Sequence, residues 1–179
     1  MRNGHLSLLV IVRKIRATVS QKKTKLKTKK NPKEKLAART MSAKSAKPLE
    51  IGIAVIRNKK KKVLIIKRLY EEYAKKGQKL TWVFPGGTPD RGESIEETTI
   101  RETRLETGLN IRILNLISER TYSQPNVHLK YFACRLKDFK VEPILDVHEV
   151  ETLKWVFPKE LKDYFTTDLD PGVAKYLKI

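Results

Sequence analysis

Gly87-Thr88-Pro89-Asp90-Arg91-Gly92-Glu93-Ser94-Ile95-Glu96-Glu97-Thr98-Thr99-Ile100-Arg101-Glu102-Thr103-Arg104-Leu105-Glu106-Thr107-Gly108-Leu109 is the stretch on which fold and chemistry both turn. Ser94 with Glu97 three residues later has the pattern of a capping box, in which hydroxyl and carboxylate satisfy each other's backbone N–H groups at a helix start. The spacing predicts a helix from Ser94 to about Thr107, with Gly108 as the residue that tolerates a left-handed conformation just past its end. Glu102 and Glu106 lie four residues apart and so share one helix face, one turn above the other. Such a pair repels by about 0.2–0.5 kcal/mol. A divalent cation would turn that repulsion into ligation, and oxygen-only donors favour magnesium or manganese. The alternative reading of the same residues is a solvated face neutralised by Arg101 and Arg104.

Upstream, Ile51 to Ile56 and Val63 to Ile66 read as two strands around the polar turn Asn58 to Lys62, in the manner of a hairpin. Thr81 to Phe84 reads as another strand, stopped at Pro85-Gly86-Gly87, where glycines permit a sharp turn or a close backbone approach. Downstream, Ile111 to Ser118 and Val127 to Leu136 are β-branched and aromatic runs separated by the loop Tyr122 to Asn126. Leu153 to Phe157 is a last short strand. Pro158 opens a helix over Lys159 to Tyr164, and Pro171-Gly172-Val173 opens a terminal one. Strands, helix, strands, helix is the order of an α/β chain of the α+β type, with a mixed sheet and helices on its faces, in one domain from residue 49 to 179.

Gly87, Glu93, Arg101, Glu102, Glu106, Gly108 and Leu109 stand at the spacing of the Nudix box, G-x5-E-x7-R-E-U-x-E-E-x-G-U with U a bulky aliphatic residue. The chain resembles the Nudix hydrolase family, and Trp82 to Gly86 before the box is similar to it as well. Thr103 stands where the family has its first aliphatic residue, and Leu105 replaces the first glutamate of the Glu-Glu pair. The resemblance implies a mixed sheet sandwiched between helices. It implies magnesium-dependent hydrolysis, with manganese as a substitute, of the pyrophosphate linkage in a nucleoside diphosphate joined to another group. It further implies Glu102, Glu106 and the Gly86 carbonyl as metal ligands, Arg101 as the group that orients the glutamates, and Glu93 in the same network. A further carboxylate in this family often precedes a Trp-Val pair by about six residues; Glu149 before Trp155 answers to it, as metal ligand or general base, with Glu151 as fallback. The family often forms homodimers. Leu105 keeps a second function open, a nucleotide- or RNA-binding module weakened in catalysis, and the basic leader a third, action on RNA ends.

The chain carries 39 Lys and Arg against 20 Asp and Glu, a net +19. Most of that excess is in residues 1–50, where 15 basic residues face only Glu34 and Glu50. Residues 1–48 therefore read as a basic leader, disordered from 13 to 48 because lysine-rich polar sequence cannot pack. It is a tail that binds nucleic acid without reading sequence, an address, or, before Met41, an extension with no role. Leu8 to Val12 is too short for a membrane span. Cys134 is the only cysteine, so no internal disulfide forms and a reducing, cytoplasmic setting is expected. Cys134 itself reads as a small core residue, His148 as a bystander, and Trp82, Phe84, Tyr122 and Tyr131 as core aromatics.

Overall fold

The computed structural model describes residues 47–73, 79–123 and 126–179, and among these seven strands, two α-helices and one 3-10 helix follow one another. The leader, apart from its last two residues, lies outside the described residues. The order is β1 (Leu49–Ile56), β2 (Val63–Tyr73), β3 (Lys79–Val83), β4 (Gly86–Gly87), α1 (Ile95–Thr107), β5 (Leu109–Ser123), β6 (Asn126–Val141), β7 (Val150–Val156), a 3-10 helix (Pro158–Asp163) and α2 (Pro171–Leu177). The strands form a four-stranded sheet, β4-β1-β6-β5, and a three-stranded one, β3-β2-β7.

The hairpin expected of β1 and β2 is only a corner. A single bridge, Arg57 to Val63, closes the polar turn, after which the two strands enter different sheets. Both strands are buried on both faces, which explains their unbroken apolar runs. Val55, Val63 and Ile65 pack with Phe84, Val156, Leu161, Val173 and Leu177, beneath the 3-10 helix and α2. Ala54, Ile56 and Leu64 point the other way and pack with Ile95 of α1, Leu109, Ile111, Phe132 and Cys134. Helices thus cover both faces of the strand layer. Alternation along each strand sends neighbouring residues to opposite cores, as the period of two requires.

β2 continues seven residues past Ile66 although its sequence turns polar. Main-chain pairing extends it: Lys67 faces Trp82 on one side and Thr152 on the other. β5 and β6 likewise outrun their apolar centres to form a long antiparallel ribbon, registered from Leu109–Val141 to Ser123–Asn126. Three register shifts interrupt it, the local twist that bulges introduce.

Helix α1 starts and stops as its sequence predicts. Ser94 Oγ accepts from the Glu97 N–H at 3.2 Å, and the Ser94 N–H donates to the Glu97 carboxylate at 2.9 Å. Gly108 has φ 68°, and an added Cβ there would lie 1.9 Å from the Glu142 carbonyl oxygen, so both conformation and space demand glycine. The buried face of α1 is polar in an unusual way, with Thr98, Thr99, Thr103 and Thr107 all at most 1% exposed. Three of these hydroxyls donate to the carbonyl of the preceding turn, as serine and threonine do in helices. Thr103 Oγ1 is buried with no hydrogen-bond partner. Replacing Thr103 by Val keeps the shape and removes that orphan, so unfolding in urea should show a gain of about 1 kcal/mol. A loss of stability would mean the hydroxyl has an acceptor.

Candidate active site

Small residues bring α1 against the sheet. A Cβ on Gly52 of β1 would meet Thr99 Oγ1 at 2.1 Å, so glycine and threonine set the approach of helix to strand. Beside β1 in the sheet lies β4, whose two glycines pair with it as Gly52–Gly87 and Ile53–Gly86. A Cβ on Gly87 would lie 2.8 Å from Glu102 Cγ and Cδ. The Gly86 N–H donates to Glu106 Oε2 at 2.8 Å. The two glutamates are thus seated on a glycine ledge, each only 8% exposed.

Arg101 organises the front of this site. Its Nε and Nη2 form a two-pronged pair with Glu93 at 2.7 and 2.8 Å, and its Nη1 reaches Glu102 Oε1 at 2.6 Å. Nη2 also donates to the Thr88 carbonyl at 3.3 Å, so the guanidinium ties the loop after β4 to the helix. The fork geometry fits two carboxylates at once, which a lysine could not match. Glu93 is held further by the Asp90 N–H and the Thr98 hydroxyl. Hydrogen bonding from Arg101, then from Asp90 and Thr98, outweighs partial burial and lowers the Glu93 carboxyl to about 2.

Glu106 is in the opposite condition. Loss of hydration pushes its carboxyl well above the usual 4.5, and the nearby charges of Glu102 and Asp146 push the same way. The Gly86 N–H and the charge of Arg68 oppose the shift without cancelling it. Neither Arg68 nor Asp146 carries a local sequence signal; β2 and the loop before β7 bring them in from either side. That loop is fastened to α1 through its backbone, because the Leu105 carbonyl accepts from both Leu145 and Asp146, at 3.0 and 3.1 Å.

Glu149 is half-buried in the same loop, its N–H donating to the Asp146 carbonyl and its own carbonyl accepting from Leu69. Glu151 pairs instead with Lys67, at 2.7 Å. Among the described residues no three Asp, Glu, His or Cys side chains stand grouped as a ready-made metal cage. The Glu102–Glu106 pair nevertheless fits a hard cation: its donors are all oxygen, one carboxylate is desolvated beside another, and Gly87 has no side chain in the way. The Cys134 thiol is buried and pushed up to about 12, which suits packing rather than chemistry. His148 is exposed. Phe84 packs edge-on against Phe165, and Trp82 against Tyr164.

The nucleoside diphosphate-linked moiety X motif 6 protein of Xenopus laevis is 35% identical over 101 residues, covering 54% of this chain and 46% of that protein. The 8-oxo-dGTP diphosphatase of Escherichia coli is 29% identical, over 54% of this chain and 72% of that enzyme. Nudix hydrolase 6 of Arabidopsis thaliana is 26% identical over 65% of this chain, which spans 41% of it. The chain thus spans less than half the length of its eukaryotic relatives named here. A NUDIX hydrolase structure from Nitrosomonas europaea shares the fold with TM-score 0.60 and 19% identity, covering 74% of this chain and 72% of that one. An ADP-ribose pyrophosphatase from Streptococcus suis superimposes with TM-score 0.53 at 20% identity, covering 73% and 90%. The NUDIX domain family model matches residues 46–177, nearly the whole described part and the site within it, and the chain belongs to that family.

Proposed function

We propose that this domain hydrolyses the pyrophosphate linkage of a nucleoside diphosphate joined to another group, with magnesium, or manganese in its place. The observation that carries the reading is the buried pair Glu102 and Glu106, seated on Gly86 and Gly87 and aligned by Arg101. Among the relatives, the names nucleoside diphosphate-linked moiety X motif 6 and 8-oxo-dGTP diphosphatase point to the same class of substrate.

Glu102, Glu106 and the Gly86 carbonyl would hold the cation, which supplies neutralisation of phosphate oxygens and a lowered pKa for water. The rest is done by the chain. Arg101 fixes the rotamer of Glu102 through a contact of 2.6 Å. Glu106 has one oxygen engaged by the Gly86 N–H, so the other, Oε1, is the atom that would face the cation. Gly87, without a side chain, lets Glu102 close onto the ledge. Glu149, with Asp146 on the same loop hung from Leu105, is the carboxylate we assign as general base.

One observation favours a second reading. Leu105, where the family carries a glutamate, is half-buried at an open groove that Ile100 and Leu145 line together with the charged residues Glu93, Glu97, Arg101 and Arg104, so an aliphatic side chain stands where a ligand would. A domain so altered holds its nucleotide without cleaving it. Release of phosphate or nucleoside monophosphate from a panel of nucleotides, with magnesium and with manganese, decides between the two. Hydrolysis is expected from wild-type protein on one substrate class. Silence in wild type, with turnover appearing in Leu105→Glu, would overturn hydrolysis in favour of binding.

A further inference from the structure

Away from the acidic pair, positive charge collects in a groove of its own. The turn between β1 and β2, the facing parts of β5 and β6, and α2 border an open cleft of about 810 Å³. Its walls carry Arg57, Lys59, Lys60, Lys61, Arg112 and Arg135, and no carboxylate is among the described residues that line it. Along β1, Arg57 stands four residues beyond Ile53, which pairs with Gly86, or about 13 Å at the rise of a strand. The groove is therefore separate from the ledge that seats Glu102 and Glu106.

Two features of this groove run against the interests of the fold. β1 neighbours β6, and β6 neighbours β5; the Arg57 N–H bonds the Cys134 carbonyl, and Arg112 sits directly opposite Arg135. Three arginines thus stand side by side on three adjacent strands, about 4.8 Å from one strand to the next. Like charges directly opposite on a sheet repel. The second feature is Lys61, whose φ of 62° is a left-handed conformation that glycine or asparagine adopts far more readily. Asn58 builds the turn that holds it there: its carbonyl accepts from Lys61 and its side chain from Lys62, both at 3.0 Å. A polyanion would turn both features to advantage. Tyr176 of α2 lines the same groove, with the Arg57 guanidinium 5.6 Å from its ring centre.

We infer that this groove is a second ligand site, which takes the sugar–phosphate backbone of a single-stranded nucleic acid along the arginine row and a base against Tyr176. Guanidinium forks match phosphate oxygens in pairs. Several cations along one cleft suit a repeating anion, and the part of the half-buried Tyr176 ring that lines the cleft accepts any base. The concave form suits a strand rather than a membrane surface. This site stands whether or not the acidic pair proves hydrolytic, because it uses none of the same residues.

The test is fluorescence anisotropy of a short labelled oligoadenylate titrated with the full chain between about 50 and 200 mM salt. Arg112→Glu with Arg135→Glu should lower affinity at least tenfold, on the order expected for reversing two phosphate contacts, and should flatten the salt dependence. Lys159→Glu with Lys162→Glu changes net charge equally at exposed positions of the 3-10 helix, and should cost no more than about twofold. The single change Arg112→Glu sets an acid opposite Arg135, so it should raise the melting temperature while weakening binding, a combination no loss of folding can mimic. Tyr176→Phe should bind as wild type and Tyr176→Ala several-fold more weakly. Equal losses in the two double variants, or no saturable binding by wild type, would overturn the proposal. So would displacement of the oligonucleotide by inorganic polyphosphate of matched charge together with no effect of Tyr176→Ala, since the occupant would then be a bare polyanion.

Discussion

Glutamine in place of Glu106 will lower turnover by at least about 1,000-fold and leave the protein no less stable. The two halves of that result come from one geometry. The Glu106 carboxyl is buried, and burial first, with the Glu102 and Asp146 charges after it, raises its proton affinity. A glutamine oxygen still accepts the Gly86 N–H, so the ledge survives, while the charged oxygen that would face the cation is gone. The stability arm has a definite sign. The folded chain binds this proton more tightly than the unfolded chain does, so Glu106 supports the fold below its ordinary value of 4.5 and ceases to do so as pH rises through the higher native value. Thermal melts of wild type should therefore decline across that window, and those of Glu106→Gln should decline less. Magnesium should restore the wild type above the window, where the carboxylate is charged, and have a smaller effect on the variant. Retention of turnover within tenfold would remove Glu106 from the chemistry.

Arg101→Ala is expected to have the larger effect on the fold, about 3 kcal/mol near neutral pH. That magnitude sits at the lower end for a buried pair because the side chains of Arg101 and Glu93 remain 24% and 15% exposed. What the substitution leaves behind is Glu93 and Glu102 without their shared cation, in a loop that Arg101 also pins through the Thr88 carbonyl. Glu93 titrates at about 2 in the folded chain, chiefly because of Arg101, so its contribution is present above 4.5 and is lost as pH falls from 4.5 toward about 2. The difference between wild type and Arg101→Ala should shrink over that same interval, since a protonated Glu93 no longer needs a partner. Urea unfolding at a series of pH values measures it directly. A cost below about 1 kcal/mol at neutral pH would place the pair with ordinary surface ion pairs. Arg101→Lys should recover only part of the loss, because an ammonium cannot engage both oxygens of Glu93 and also Glu102.

Helix α1 was legible in the sequence because its ends are made by neighbours: Ser94 with Glu97, Gly108 with Arg104. The strand cores were legible wherever burial on both faces leaves an unbroken apolar run, as in Ile51 to Ile56 and Val63 to Ile66. What escaped was set at long range. Lys67 to Tyr73 continue β2 through main-chain pairing to which side-chain polarity is indifferent. The departure of β1 and β2 into separate sheets follows from which strands their edges meet, not from the turn between them. In the site, the roles implied for Glu93, Arg101, Glu102 and Glu106 came from the spacing of the box. The Gly86 N–H on Glu106, the Gly52–Thr99 contact and the charges of Arg68 and Asp146 have no pattern of their own. Glu149, chosen by its distance from Trp155, is in the loop expected of it, but spacing could not say whether its side chain meets the helix pair, because that depends on how the loop is hung.

The way the loop is hung bears on how the site can change over time. Leu145 and Asp146 both bind the carbonyl of Leu105, an atom common to every residue type. The identity of the side chain at 105 can therefore drift between a carboxylate and an aliphatic without unhooking the loop that carries Asp146 and Glu149. Side chain and architecture are uncoupled at this position: a substitution at residue 105 changes what faces the groove and not what holds the loop.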